Sequence, residues 1–469
     1  MADIIYMSAL EQAALVRNSE ISPVELVTEY LNRIDKFDDQ INAFVTVVGD
    51  GALEAARRAE EEVAAGGNLP PFHGVPITIK DLNPTAGIKT TFSSKAFADF
   101  VPDFDAHTVR RIKEAGFISL GKTNAPEFGT FPVTESELNG ICRNPWDTGR
   151  TPGGSSGGAA AAVAAGMCPA AQGNDGGGSL RIPASCCGLF GLKPARGRVS
   201  WGPAFGEFVA GLATDGPIAR TVADAAALLD VMAGYETGDP YWAAPPARPF
   251  LNEAGAPVSG LRVGVTTSSP TGAPVDPACV AAVEDASTLL ESLGHHLEEA
   301  TPDWVDPDIV QHFMAVWQTI PVYSGMTDGA ELEPINREFL EMASQTNVAT
   351  YVRAQVAIHA MARRVVAFWD DYDLLLSPTL ALPPVPVGWI FEEEDPGMQF
   401  ARAAFFTPFT PVANITGQPA ASLPTYWSDD GLPIGVQLMG RPADEATLIR
   451  VSAQVEEARP WADRRPPDL

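Results

Sequence analysis

Two glycine-rich loops that each carry serine lie close together in the sequence. Residues 153–157 read GGSSG and residues 175–179 read DGGGS, and an alanine-rich stretch over 159–165 lies between them. Serine is a weak nucleophile until a base accepts its proton, and successive glycine N–H groups can converge on a developing oxyanion. One such loop could be a linker. Two loops joined by a close-packing helix predict a catalytic site around Ser155 and Ser179.

A lysine is the candidate base for these serines. Residues 74–80 read GVPITIK, and this β-branched run predicts a buried strand that ends at Lys80. A free lysine has a pKa of about 10.4, so it is neutral at pH 7 only where burial disfavours the ammonium form. Asp81 follows directly, but neighbours in a strand point to opposite faces, so Asp81 need not pair with Lys80. Taken alone, Lys80 would be read as a solvated surface charge, and the serine loops give it a role.

Residues 116–123, GFISLGKT, fit the phosphate-binding pattern G-x-x-x-x-G-K-[ST] by letter. That loop must follow a strand and open a helix, so that its backbone N–H groups surround phosphates. Here the apolar segment 117–120 occupies the loop and itself predicts a strand. Pro126 then disfavours a helix at the residue before it. A strand that ends in a turn explains this segment better than nucleotide binding does.

Residues 153–157 also fit G-x-S-x-G, the nucleophile elbow of Ser-His-Asp hydrolases. That elbow follows a strand and needs an acid and a histidine later in the chain. The preceding residues 147–152, DTGRTP, are turn formers rather than a strand. A serine and lysine site therefore explains the loops better than a Ser-His-Asp triad.

Helices and strands alternate around these loops. Helices are predicted over 8–16, 22–36, 50–65, 105–115, 159–165, 221–233, 276–293 and 444–457, and strands over 74–80, 117–120, 261–265, 372–377 and 433–438. Residues 22–25, SPVE, form a capping box with proline at the first helical position. The alternation predicts an α/β architecture.

Composition argues against several kinds of partner. The 469 residues carry a formal net charge of −28, which repels a nucleic-acid backbone. No apolar run approaches the roughly 20 residues that a membrane helix needs, and residues 1–5 show no signal peptide, so a cytoplasmic enzyme that is not bound to a membrane is expected. The five cysteines are odd in number and form no C-x-x-C pair, which predicts reduced, buried thiols and no zinc site.

The blocks that carry these residues resemble the amidase signature family. The signature itself is matched over 153–194, and further matching blocks are found at 74–81, 121–128, 143–147, 417–420 and 431–435. The resemblance covers nearly the whole chain, so one amidase domain over 1–469 is expected, with its signature core at about 74–200. It implies an α/β fold with a large, mostly parallel, twisted sheet that helices cover on both faces.

The same resemblance implies a mechanism. Ser179 is the nucleophile, and Ser155, with an unusual cis peptide, relays its proton to Lys80. The oxyanion hole is implied to consist of the backbone N–H groups of Gly176, Gly177, Gly178 and Ser179. Supporting roles around the loop are implied for Ser156, Asp175 and Arg181. The reaction is acyl transfer, in which the amine leaves, water frees the acyl group and no cofactor is needed.

Two positions depart from the family pattern. Asn174 stands where many members have threonine or serine, and Gly176 stands where many have a bulkier residue. With residues 181–185, RIPAS, they make the chain most similar to the branch of 6-aminohexanoate cyclic dimer hydrolase, amidases and urethanases. Two alternatives stay open: the A subunit of an aminoacyl-tRNA amidotransferase, which releases ammonia from glutamine for a partner, and a non-catalytic ligand-binding protein.

The expected substrate is a small-molecule amide or carbamate, with esters as further candidates. A variable helical region at about 303–410 is expected to contribute to the pocket. Aromatic residues that could line an apolar pocket, or simply pack in the core, are Trp304, Phe313, Trp317, Tyr323, Trp369, Trp389, Phe400, Phe405 and Phe406. A monomer or homodimer is expected.

Overall fold

Apolar periodicity and helix caps define most elements of the computed structural model, which describes residues 4–467. Residues 1–3, part of the segment read for a signal peptide, lie outside this range. None of the helices within 4–467 is long and apolar enough to cross a membrane. All five cysteines are buried and free, as predicted.

The strands are β1 (Phe44–Val47), β2 (Pro76–Lys80), β3 (Ile118–Thr123), β4 (Glu135–Ser136), β5 (Gly140–Ile141), β6 (Ala170–Asp175), β7 (Phe190–Lys193), β8 (Thr214–Ala219), β9 (Arg262–Val265), β10 (His296–Glu299), β11 (Leu374–Pro378), β12 (Ala420–Trp427) and β13 (Pro433–Gly440). The α-helices are α1 (Ala9–Arg17), α2 (Pro23–Ile41), α3 (Gly49–Ala65), α4 (His107–Glu114), α5 (Gly157–Ala164), α6 (Arg181–Cys187), α7 (Val222–Met232), α8 (Pro277–Ser292), α9 (Ile309–Trp317), α10 (Ile320–Tyr323), α11 (Pro334–Gln345), α12 (Val348–Val366), α13 (Pro396–Phe406), α14 (Pro411–Thr416) and α15 (Glu445–Ala458). Short 3-10 helices occupy Ile4–Tyr6, Lys95–Phe97, Glu127–Gly129, Phe250–Glu253, Ala367–Asp370 and Trp389–Glu392.

The capping box predicted at residue 22 is confirmed. Ser22 Oγ accepts hydrogen bonds from the backbone N–H groups of Val24 and Glu25, and the Glu25 carboxylate accepts from the Ser22 N–H. The helix continues to Ile41, beyond the predicted residue 36, because its buried apolar stripe continues through Phe37. The sequence pattern therefore located this helix start more accurately than its end.

Within residues 4–467, one sheet has eleven strands in the order β1-β3-β2-β6-β8-β7-β12-β13-β11-β9-β10. Strands β3, β2 and β6 are parallel neighbours, as are β11, β9 and β10. Every other neighbouring pair in this sheet is antiparallel. The α/β class is confirmed, whereas the expectation of a mostly parallel sheet is wrong, because the sheet is mixed.

The antiparallel centre of the sheet has local causes. A short turn over 428–432 joins β12 to β13, and so short a connection returns the chain antiparallel. Strands β6 and β8 contain poor strand formers such as Gly173, Asp215 and Pro217, so their sequence pattern did not predict them. Burial of every residue in both strands holds them in the sheet.

The two faces of the sheet pack into two hydrophobic clusters. Ile77 and Ile79 of β2 belong to one cluster, and the alanines of α5 belong to the other. Alternation along β2 therefore directs Lys80 toward the face that α5 covers. Because β2 and β6 are parallel neighbours, Lys80 and Asp175 end their strands at the same edge, where the loop to Ser179 begins.

Candidate active site

Lys80 lies at the end of a strand whose five residues are all buried. Its Nζ is 2.7 Å from Ser155 Oγ and 2.6 Å from Asn174 Oδ1. Its backbone N–H donates to Gln172 Oε1 at 3.1 Å, which ties the strand end to the neighbouring strand β6. The lysine amine is thus held against one of the two predicted serines.

Burial lowers the pKa of the Lys80 amine to about 7. The Asp175 and Asp215 carboxylates act in the opposite direction, because negative charges favour the ammonium form, but their effect is smaller than that of burial. A substantial fraction of Lys80 is therefore neutral near pH 7. A neutral amine has a lone pair and can accept a proton from a hydroxyl.

Ser155 lies in a loop whose glycines have no room for a side chain. The Gly154–Ser155 peptide bond is cis. A Cβ placed on Gly154 would come within 2.7 Å of the Val133 backbone, and one on Gly158 within 2.4 Å of the Asn124 nitrogen. The glycines therefore allow the loop to pack directly against neighbouring backbone, and this packing fixes Ser155 beside Lys80.

An ion pair braces the loop that carries Ser179. The Asp175 carboxylate accepts two hydrogen bonds from Arg181, at 2.9 and 3.0 Å, and further bonds from the N–H groups of Gly178 and Leu180. Both charged side chains are fully buried, and Arg181 holds the pKa of the Asp175 carboxyl below its usual value. Arg181 also donates to Thr410 O, Gln437 Oε1 and Asn414 Oδ1. The loop is thereby fixed to strand β13 and helix α14.

Backbone N–H groups around Ser179 divide into two kinds. The N–H of Gly178 donates to Asp175 at 2.8 Å, so it belongs to the hydrogen-bond network of Asp175 and Arg181 that holds the loop. Within residues 4–467 the N–H groups of Gly176, Gly177 and Ser179 have no hydrogen-bond acceptor. Three of the four expected oxyanion donors are therefore free to bind a ligand oxygen. The fourth, the Gly178 N–H, already donates to Asp175, which argues against a role for it in the oxyanion hole.

Ser156 connects the two serine loops. Its Oγ lies 3.1 Å from the Asn174 carbonyl oxygen and 3.3 Å from the Asn174 nitrogen. Its backbone N–H donates to the Ser179 carbonyl at 3.3 Å. Since Ser156 is fully buried, its contacts are those of a residue that fixes the distance between the loops.

The G-x-x-x-x-G-K-[ST] segment is a strand, as predicted. Strand β3 extends through Gly121 and Lys122, and Lys122 Nζ donates to Asn83 O and, at 3.0 and 3.1 Å, to the hydroxyls of Thr85 and Thr90. A lysine occupied in this way cannot bind phosphate. Asp81 does not pair with Lys80, also as predicted, because its carboxylate accepts hydrogen bonds from Thr91.

The Ser-His-Asp alternative lacks a histidine at the site. Residues that surround Ser155 and Ser179 in the two adjoining cavities include no histidine within the described chain. His295, the most buried of the later histidines, bonds to Gln454 instead. The amine of Lys80 is thus the base within reach of Ser155.

Two apolar cavities meet at Ser179. The first, here the helical chamber, is lined mainly by helices α9 and α12 to α14 and includes Ile309, Phe313, Trp317, Met361, Phe400 and Val412. The second, here the aromatic chamber, also contains Ser155 and Asn174 and includes Phe92, Phe97, Phe100, Phe104, Trp201, Phe205 and Phe208. Among the described residues, neither chamber is lined by a charged side chain.

Trp317 lies between the two chambers and lines both. Its indole N–H donates to the Thr130 carbonyl at 3.2 Å, and the ring of Phe313 stacks on it at 5.1 Å. A Cβ on Gly176 would be 3.3 Å from the Trp317 ring. Glycine at position 176 therefore leaves this ring its space.

Sequence reasoning identified only part of the chamber walls. Phe313, Trp317 and Phe400 lie in the region singled out and line a chamber, whereas Trp304 and Trp369 pack in the core. The aromatic chamber was missed. A usable signal was the stretch 92–104, which has four phenylalanines and is interrupted by Pro102. Aromatic residues concentrated in a loop need a cavity or a partner to bury them.

Comparison with known proteins finds amidases and related hydrolases. An amidase family profile matches residues 25–449. A putative amidase of Synechocystis sp. is 39% identical over 460 residues, which cover 97% of this chain and 89% of that protein. The 6-aminohexanoate-cyclic-dimer hydrolase of Paenarthrobacter ureafaciens is 38% identical over 485 residues, which cover 98% and 97%. A solved structure of 6-aminohexanoate cyclic dimer hydrolase complexed with substrate aligns with a TM-score of 0.91 at 36% identity, over 99% of both chains.

Proposed function

This chain belongs to the amidase signature family, and from that premise we propose that it cleaves neutral amides through an acyl-enzyme on Ser179. Family membership makes the protein an amidase, a hydrolase that acts on C–N bonds. The proposal adds the residues that act and the kind of substrate that fits.

The main support for this proposal is the distance of 2.7 Å between Lys80 Nζ and Ser155 Oγ. A lysine can act as a base only when it is neutral, and burial lowers its pKa to about 7 here. Ser155 lines the same chamber as Ser179. The three residues can therefore form a relay in which Ser179 is the group that meets the substrate.

In the proposed acylation, the Ser179 hydroxyl gives its proton to Ser155 Oγ while Ser155 gives its own proton to the Lys80 amine. The Ser179 oxygen bonds to the substrate carbonyl carbon, and the carbonyl π electrons move to the oxygen. The C–N bond breaks as Lys80 returns a proton through Ser155 to the leaving nitrogen. Water then attacks the acyl-enzyme by the same relay, which releases the acid and restores Ser179.

The negative oxygen of both tetrahedral intermediates needs hydrogen-bond donors. The free N–H groups of Gly176, Gly177 and Ser179 are the proposed donors. Each such donor typically contributes about 10²- to 10³-fold in rate. Gly178 is assigned to the network of Asp175 and Arg181 instead, because its N–H already donates to Asp175.

The two chambers support a proposed placement for each half of the substrate. Because Ser155 protonates the leaving nitrogen and lines the aromatic chamber, the amine half is proposed to occupy that chamber. The acyl half then occupies the helical chamber beyond Trp317. Apolar walls on both sides favour substrates that are apolar or aromatic on both sides of the amide. Carbamates and esters present the same carbonyl to Ser179, so they are included as further substrates.

Glutamine, the substrate of the alternative amidotransferase subunit, fits these walls poorly. Its ammonium and carboxylate groups would have to be buried without an opposite charge, since the chambers lack charged residues among those described. Burial of an unpaired charge is strongly unfavourable. This observation supports a free-standing amidase over a glutaminase.

Covalent labelling tests the assignment of Ser179. Intact mass and peptide mapping after reaction with a small sulfonyl fluoride should find one label on Ser179, which the Ser179→Ala variant loses together with amide hydrolysis. Ser324→Ala is the matched control, because Ser324 lines the same chamber but its hydroxyl donates to the Ile320 carbonyl. A label on Ser155 or Ser324, or full activity without Ser179, would overturn the assignment. Absence of both labelling and hydrolysis in the wild type would favour the non-catalytic alternative.

A substrate panel tests the chambers. Anilides with acyl groups of increasing length, aryl carbamates, aryl esters and cyclic amide dimers should be hydrolysed, and glutamine should not be. Trp317→Ala should merge the chambers and raise the relative kcat/KM for bulky acyl groups, whereas Trp369→Ala, a buried tryptophan outside both chambers, should leave relative rates unchanged. Activity on glutamine alone would refute the proposed substrate class.

A further inference from the structure

Asp215 is a buried carboxylate that forms no ion pair within residues 4–467, although it is only 2% exposed. An isolated carboxylate in such a place is costly, which distinguishes it from Asp175 and its arginine partner. Burial raises the pKa of Asp215 to about 6. Because burial of this carboxylate without an ion pair is unfavourable, its role is expected to involve its hydrogen-bond partners.

A chain of hydrogen bonds leads from Asp215 to the lysine. Its Oδ2 accepts from Asn83 Nδ2 at 2.8 Å, Asn83 Oδ1 faces Asn174 Nδ2 at 3.4 Å, and Asn174 Oδ1 is 2.6 Å from Lys80 Nζ. Asn174 and Asp215 are direct cross-strand partners of β6 and β8. The register of the sheet thus places Asp215 beside Asn174, the residue that contacts the lysine.

A carboxylate fixes the direction of such a chain. An ionised carboxylate only accepts, so Asn83 must present its amide N–H to Asp215 and its carbonyl oxygen to Asn174. Asn174 must then turn its own N–H toward Asn83 and its oxygen toward the lysine. Lys80 can only donate to that oxygen, and the remaining lone pair of the neutral amine is left for Ser155.

We infer that Asp215 is a positioning residue, which acts through Asn83 and Asn174 to aim the lone pair of the Lys80 amine at Ser155. The inference rests on the proposed roles of Lys80, Ser155 and Ser179. It also gives Asn174 a function of its own: its amide donates to Asn83 and accepts from Lys80 with two separate atoms, whereas a threonine or serine would have to use one shorter hydroxyl for both bonds.

The pH dependence of the rate distinguishes a role of Asp215 in positioning Lys80 from a role only in protein stability. The charged groups that act on Lys80 are Asp175 and Asp215, and the polar groups that face Asp215 also include Thr108 and Gln172. Negative charge at Asp215 favours the ammonium form of Lys80. Asp215→Asn removes that charge, so the acidic limb of the rate profile should move to lower pH while the plateau rate falls.

Sulfonyl fluoride labelling of Ser179 across pH is the test, because it reports nucleophilicity without a bound substrate. Asp215→Asn should lower the plateau labelling rate by up to about 10²-fold, which is what a catalytic group displaced by about 1 Å costs. Asp224→Asn is the matched control, since Asp224 is equally buried but accepts from the N–H groups of Ala9 and Leu10. The control should lower the melting temperature. For the folded protein, it should leave the acidic limb and the plateau of the labelling-rate profile unchanged.

A double-mutant cycle tests the path of the effect. Asn174→Leu breaks the chain next to the lysine, so Asp215→Asn should lower the plateau rate much less in that background than alone. Asn174→Thr should retain more of the rate than Asn174→Leu, because it keeps an acceptor for Lys80. This inference would be overturned if the acidic limb of the pH profile did not move in Asp215→Asn, or if the losses in plateau rate were additive in the double-mutant cycle, while the label still mapped to Ser179. A label on another serine would instead overturn the proposed function.

Discussion

Lys80 and Lys122 are two buried lysines at the ends of neighbouring parallel strands, yet their surroundings differ. Lys122 donates to three oxygens, Asn83 O, Thr85 Oγ1 and Thr90 Oγ1. Both threonine hydroxyls donate their own protons to carbonyl groups, so each can only accept from the lysine. Three acceptors require three donors, and only the ammonium form supplies them.

Lys80 faces two partners, and one of them, Ser155, can donate as well as accept. Burial lowers the pKa of both amines, to about 7 for Lys80 and about 8 for Lys122, where the Asp81 carboxylate acts in the opposite direction. Burial alone therefore does not make a lysine a base. The surrounding donors and acceptors decide which form of the buried amine is stable.

Removal of the Lys80 amine should have the largest effect on turnover. In Lys80→Met the relay from Ser179 loses its proton acceptor, and kcat/KM for an anilide should fall by about 10⁴-fold, the upper range for a lost general base. The fold should survive, since a buried amine is replaced by an apolar side chain of similar length. Steady-state kinetics and a melting curve measure both quantities, and retention of a tenth of the activity would contradict the assignment.

Asn174→Asp should make Lys80 resemble Lys122. A carboxylate against the amine favours the ammonium form and raises its pKa, so less neutral base is present at pH 7. The acidic limb of kcat/KM should move to higher pH, and activity at pH 7 should fall by about tenfold or more, since each unit of pKa is a factor of ten. A shift to lower pH, opposite in sign, would show that Lys80 is not the titrating group.

Unmodified protein should itself show the titration of Lys80. The base must be neutral to accept the serine proton, so kcat/KM should rise with pH to a plateau above about 7 and fall about tenfold for each unit below that value. Lys122→Met should show the same midpoint. A midpoint that moves in Lys122→Met would mean that the second lysine, and not Lys80, controls the profile.

Lys122→Met should have the smallest effect on turnover of the substitutions considered, and a larger effect on the free energy of unfolding than Lys80→Met. The substitution leaves a carbonyl, two hydroxyls and the Asp81 carboxylate without the cation, and breaking a buried charged network costs about 3 to 5 kcal/mol. Denaturant unfolding should detect this loss, whereas kcat/KM per folded molecule should change only a few-fold. Equal losses of activity in Lys80→Met and Lys122→Met would remove the distinction between the two lysines.

Elements that depend on neighbouring residues in the chain could be predicted from the sequence. The capping box at Ser22 and the strand that ends at Lys80 were predictable because they depend on neighbours in the chain. The α/β class followed from the same local patterns. Strands β6 and β8 were not predictable, because Gly173 and Pro217 are strand residues only through the burial that the whole sheet provides.

The candidate site shows the same limit. Ser155, Ser179 and Lys80 were named from loops, spacing and resemblance, and their catalytic roles stay predictions until the labelling is done. The occupation of the Gly178 N–H by Asp175 depends on a geometry that a glycine run does not reveal. Nor does the sequence reveal that Asn174 lies opposite Asp215, since that register pairs two residues that are 41 positions apart in the chain. The single-domain organisation and the oligomeric state also stay predictions.

The crowding around Ser155 bears on how this enzyme can evolve. Gly154 and Gly158 touch backbone so closely that no larger residue fits there, so mutation can hardly vary the loop that bears Ser155. Apart from Ser155 itself, which lines the aromatic chamber, most of the chamber walls come from other segments, such as 92–104 and helix α9. Selection can therefore exchange one substrate for another while the chemistry is inherited unchanged. Directed evolution should accordingly place its diversity in the walls.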